Sequence, residues 1–151
     1  MMTTAQDQVR SLLREDVAPI LRAAGFRGTE RSFAIPSPDW FAQIGVQTSA
    51  VSTSMRSKLT LNAQVIPKAF WKEVRVERQY PAKPSPNTHY GRGGEFWQVR
   101  VGELVDGNDR WWELDDRGTR RRQLAVELTD LIIDVVLPAM MSRMLRQSSE
   151  S

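Results

Sequence analysis

The chain contains no cysteine and one histidine, His89. Without thiols there is no disulfide, no thiolate nucleophile and no cysteine-based metal site. A lone loop histidine with scattered carboxylates is a poor zinc set. The acidic residues Asp106, Asp109, Glu113, Asp115 and Asp116 lack calcium-loop spacing. No metal and no cofactor is therefore expected. Long apolar runs are missing too. The best stretch, Leu131 to Met141, is interrupted by Asp134 and Pro138, and a membrane span needs about 18 apolar residues. The first residues, Met1 to Arg14, carry charges where a signal peptide is continuously apolar. These absences fit a cytoplasmic protein.

An excess of one charge is also lacking. Among 151 residues, 21 Lys and Arg stand against 18 Asp and Glu, a net charge of +3. Up to Ile66 there are seven basic and five acidic residues, and beyond it fourteen and thirteen. Neither half has the positive excess of a phosphate-tracking surface, which counts against nucleic acid. A content of 40% hydrophobic and 26% charged residues fits an ordinary globular domain. One domain is expected over 1–151, with an ordered core at about 4–145 and a polar tail at 146–151.

The most legible junction is Gly25-Phe26. A helix capped by Thr3 or Thr4 carries Val9, Leu12, Leu13, Ile20, Leu21 and Ala24 on one stripe, and Pro19 should kink it. Gly25 then takes the left-handed position and Phe26 folds back on the last turn. Strands are expected at Arg31 to Ile35, Trp40 to Gln47 and Lys58 to Ile66. In the last, Leu59, Leu61, Ala63 and Val65 alternate with outward Thr60, Asn62 and Gln64. Ala69 to Arg75 reads as a short helix. Gln79 to Gly94, with three prolines and three glycines, has no period, and it is expected to be the least ordered internal segment. Phe96 to Val105 and Arg110 to Leu114 read as two further strands joined by an Asp106-Gly107-Asn108-Asp109 hairpin turn. A closing helix capped by Thr119 buries Leu124, Leu128, Leu131, Ile132 and Val135, and Pro138 kinks or ends it. The expected class is α+β: an antiparallel sheet of about five strands with the N- and C-terminal helices packed on one face. The other face stays open or covers a partner.

Several words occur in an order that resembles the bacterial domain-of-unknown-function 4304 family. They are Leu21-Arg22-Ala23-Ala24-Gly25-Phe26, the strand around Phe33, Gln47, Val99-Arg100-Val101-Gly102, Trp111-Trp112-Glu113-Leu114 and Val136-Leu137-Pro138. The match spans roughly Gln8 to Met144 and fits least well from Tyr80 to Gly94. The resemblance implies a small α+β domain and no catalytic residues.

Chemistry-bearing residues are few. Gly91-Arg92-Gly93-Gly94 precedes a strand and lacks the Lys-Ser or Lys-Thr of a phosphate loop, so it reads as a flexible loop. Arg120-Arg121-Arg122 opens the last helix, where cations oppose the macrodipole; Asp115, Asp116 and Glu127 are the expected counterions. Trp111-Trp112 is the stronger lead. Neighbours on a strand face opposite ways, so one indole turns from the helical layer. There it can join Arg100, Tyr90 and Arg92 in a partner-binding surface. The expectation is a non-catalytic interaction domain with a protein partner, such as a small bacterial immunity or accessory protein. The alternatives are single-stranded nucleic-acid binding by stacking on an open sheet face, and an enzyme with a carboxylate-based pocket.

Overall fold

The structure is a computed structural model describing residues 3–91 and 95–149, with only the backbone of 147–149. Its strands are β1 (Arg27–Gly28), β2 (Ser32–Ile35), β3 (Trp40–Thr48), β4 (Arg56–Pro67), β5 (Trp97–Arg100) and β6 (Trp112–Asp115). All pairs are antiparallel. The order runs β1-β2-β3-β4, and β4 carries both β5 and β6 along its other edge. The architecture is α+β as expected, with six strands among the described residues.

The N-terminal helix is built in three pieces: Ala5–Ser11, a π-helical turn Leu12–Val17, and Ala18–Ala23. Thr4 caps it through a reciprocal box in which the Asp7 amide donates to Thr4 Oγ1 and Asp7 accepts from the Thr4 amide. At the far end Gly25 takes φ +105°, and the amide of buried Phe26 donates to the Leu21 carbonyl at 3.0 Å. The C-terminal helix is built alike, from Arg121–Leu131, a π turn Ile132–Val136 and Leu137–Ser149. It runs past Pro138 and past the expected end at Leu145.

Both π turns have the same cause. Proline lacks an amide donor, and its ring collides with the carbonyl four residues back. The last amide before each proline, on Ala18 and on Leu137, donates five residues back, to Leu13 and Ile132. The widened turn makes room for Pro19 and Pro138 without a chain break. It also changes which residues face inward. Val9, Leu13, Val17 and Leu21 are buried, whereas Ile20 is 43% exposed and Ala24 is exposed. The expected stripe is therefore corrected at Ile20 and Ala24, because it was laid out at plain α-helical spacing without the extra residue of a π turn.

The two long helices pack together and cover one sheet face. Their apolar residues share a core with Phe33, Ala42, Ile44, Val46, Leu59, Leu61, Ala63, Val65, Trp112 and Leu114. The opposite face is not simply open. The helix Lys68–Arg78 and the following segment cover its upper end, where Ile66, Trp71, Val74 and Phe96 form a second core.

The region 96–110 departs from expectation. Only Trp97–Arg100 is strand; Val101–Asp106 is a helix ended by Gly107 at φ +79°, whose amide donates to the Glu103 carbonyl. Asp106 to Asp109 is therefore a helix exit and not a hairpin turn, and β5 and β6 pair with β4 rather than with each other. A Cβ on Gly102 would overlap the Asn108 carbonyl and the Arg110 backbone, so the short helix lies directly against the segment entering β6. Thr119 is not the cap of the last helix either. Arg120 holds that position at φ +63°, and the Asp115 carboxylate accepts from the amides of Arg117 and Thr119.

Candidate binding cleft

On the part of the outer face beyond the helix Lys68–Arg78, side chains line up in rows because the strands are in register. Gln43, Gln64 and Gln98 stand opposite one another on β3, β4 and β5. Gln98 Nε2 donates to Gln64 Oε1 at 2.7 Å, and Gln64 Nε2 donates to Gln43 Oε1 at 2.5 Å. An amide both donates and accepts, so the ladder closes with no net charge, and Gln64 is fully buried. The next row is Gly45, Asn62 and Arg100. Here the missing side chain matters: a Cβ on Gly45 would overlap the Asn87 amide and the Pro86 ring. Asn87 fills that gap. It donates to the Val46 carbonyl at 3.1 Å and accepts from Asn62 at 2.9 Å.

The segment after Gln79 has no regular structure but is fastened at several points. The Trp71 indole donates to the Pro81 and Ala82 carbonyls, and the Ser85 amide donates to the Tyr90 hydroxyl at 2.8 Å. Gln98 ties down the far end, donating to the Thr88 carbonyl and accepting from the Tyr90 amide. Between this strap and the sheet lies a cleft of about 420 Å³. Its lining includes Gln47, Asn62, Asn87, His89, Arg100 and Glu103.

The structure separates the two tryptophans. Trp112 is 6% exposed and its indole donates to Glu127 Oε1 at 3.0 Å. Trp111 is half-buried, with its indole donating to Asp109 Oδ2 at 3.1 Å. The Arg100 guanidinium lies 5.4 Å from the Trp111 ring centroid and 3.4 Å from Asp109 Oδ1. Arg100 also lines the cleft, so Trp111 and the cleft adjoin through one side chain.

Tyr90 does not join them. Its ring packs 4.8 Å from Trp71 and 5.0 Å from Tyr80, inside the second core. It serves the strap rather than an aromatic surface with Trp111. Arg92 lies outside the described residues. The amides of Gln43, Gln47, Asn62, Gln64, Asn87 and Gln98 were not singled out from sequence. The available signal was the use of amides, not charges, at outward strand positions beside a proline-rich segment. No group of three or more potential ligands for a metal ion occurs among the described residues.

The family model described as a domain of unknown function, DUF4304, matches residues 17–142. The chain belongs to that family. No curated protein and no solved structure matches it. In this DUF4304 chain the match covers the six strands of the described residues, the strap, most of the C-terminal helix and the N-terminal helix from Val17 onward. No helix among the described residues is long and apolar enough to cross a membrane.

Proposed function

We propose that this DUF4304 protein is a non-catalytic binding domain, an immunity or accessory protein of the bacterial cytoplasm. Its partner-facing surface would be Trp111, Arg100 and the adjoining amide cleft. The observation that carries this reading is the double position of Arg100, over the Trp111 ring and at the cleft wall. Tryptophan and arginine are the side chains most enriched where binding energy concentrates. Asp109 already orients both, so little side-chain entropy remains to be lost on association. Neutral amides in the cleft complement the peptide groups of a protein loop, since each can donate and accept. An enzyme of the kind considered above asks for two carboxylates in one pocket. Glu103 is the one carboxylate among the described lining residues. Stacking on an open sheet face is disfavoured, because Trp71, Tyr80, Tyr90 and Phe96 are packed on one another.

The test is affinity capture from the source cells, followed by calorimetry on the purified pair. Trp111→Ala should weaken binding by roughly 2 kcal/mol or more, about 30-fold. Arg100→Ala should act in the same direction. A partner held equally well by both variants would remove this surface from consideration.

A further inference from the structure

A second cleft, of about 520 Å³, lies on another part of the molecule and is lined by Gln8, Arg117, Gly118, Arg120, Arg121, Arg122 and Gln123. Four arginines share this lining and no carboxylate does. The counterions that the sequence suggests are committed elsewhere. Asp115 accepts from the backbone amides of Arg117 and Thr119, and Glu127 accepts from the Trp112 indole. Among the described residues, Arg121 is the one guanidinium of the four that is neutralised, by Asp16 at 2.8 Å and Glu15 at 3.2 Å. Arg120 donates to the neutral Gln123, and Arg117 and Arg122 make no ion pair among the described residues. Asp116 makes none either, and it does not line the cleft.

The arrangement is held rather than accidental. Gly118 has φ +67°, and a Cβ there would overlap the Gln8 side chain. Gln8 bridges the two ends of the chain, donating to the Asp116 carbonyl and accepting from Arg121. The loop is thus clamped against the N-terminal helix with its arginines around one hollow. Like charges crowded together repel, and cations near a helix start meet the unfavourable end of its dipole. A bound anion relieves both costs, and planar guanidinium groups match phosphate oxygens in pairs.

We propose that this cleft binds a small ligand carrying linked phosphates. It is independent of the Trp111 surface. The four arginines gather around one open hollow rather than along a track, which favours a compact polyphosphate over a long polyanion, and the near-balanced charge of the whole chain points the same way.

The experiment is an amide-resolved NMR titration of the full chain with sodium triphosphate, at low and at physiological salt. Saturable shifts are expected at Gln8, Gly118, Arg122 and Gln123, with weaker binding as salt rises. Inorganic phosphate should bind more weakly than triphosphate. Arg117→Gln and Arg122→Gln should each reduce affinity about tenfold. Lys72→Gln, an exposed cation outside the cleft, should leave it unchanged, as should Trp111→Ala. Unsaturable shifts spread over exposed cations would overturn the proposal. So would an equal loss in Lys72→Gln, or tighter binding of a single-stranded oligonucleotide than of triphosphate. None of these three results would touch the Trp111 reading, which rests on other residues.

Discussion

Trp111 and Trp112 are adjacent in the chain and should respond very differently to truncation. Removing the buried Trp112 empties core volume and leaves Glu127 without its indole donor, so Trp112→Ala should cost about 3–5 kcal/mol in urea unfolding. Trp111→Ala should stay within about 1 kcal/mol, because the residue is only partly buried and lies outside both cores. Gly45 offers a second contrast. Gly45→Ala collides with the Asn87 side chain and should destabilise by about 1–3 kcal/mol; combined with Asn87→Gly, the loss should be less than additive. Asp115 gives a pH signature. The amide and hydroxyl of Thr119, then the amides of Arg117 and Gly118, hold its carboxyl below the ordinary value of 3.8. A depressed folded value contributes stability that is present above the unfolded pKa and lost as pH falls through the folded one. Asp115→Asn should therefore flatten the acid limb of the urea midpoint below 3.8 while leaving the slope near neutrality unchanged.

At the level of elements, the long helices carry a pattern that a straight α-helix cannot satisfy. Leu124, Leu128, Ile132, Val136, Met140 and Met144 are all buried, each four residues from the last. At 3.6 residues per turn, each such step drifts by about 40°, so five steps would carry the stripe roughly 200° around the helix. The π turns absorb part of that drift. Val17 and Ile20 test this in the N-terminal helix. Val17→Ala should cost about 1–3 kcal/mol, whereas Ile20→Ala should cost less than about 1, the reverse of what a continuous α-helix implies. The same scale explains the misread 96–110 region. Val99, Val101 and Leu104 suit a strand by composition. The chain instead turns into a helix at Val101, where β5 ends and Val101 enters the main core. Propensity at that point yields to tertiary packing.

Over the whole molecule, β4 is the hub, paired with β3 along one edge and with β5 then β6 along the other. Its amides should exchange with solvent only through global unfolding, whereas those of the two-residue β1 at the sheet edge should exchange by local opening. Hydrogen-exchange mass spectrometry would check that ranking. The helix ending at Gly25, the alternating strands, the two long helices on one face and the α+β class were legible in the residues. Each is encoded by local chemistry: a positive-φ glycine, a period of two, an apolar stripe. Two features were not legible. The order of β5 and β6 along β4 depends on long-range pairing. The glutamine ladder needs the register of three strands before its members become neighbours. The meeting of Arg100 with Trp111 was expected, but across a hairpin; the helix Val101–Asp106 folds the chain back to bring it about. By itself the sequence determined most of the helices and strands and the apolar faces of the strands, though not the helix at Val101–Asp106. Only the tertiary structure decided which distant polar groups meet, because hydrogen bonds and ion pairs depend on separations of a few ångströms that no local pattern specifies.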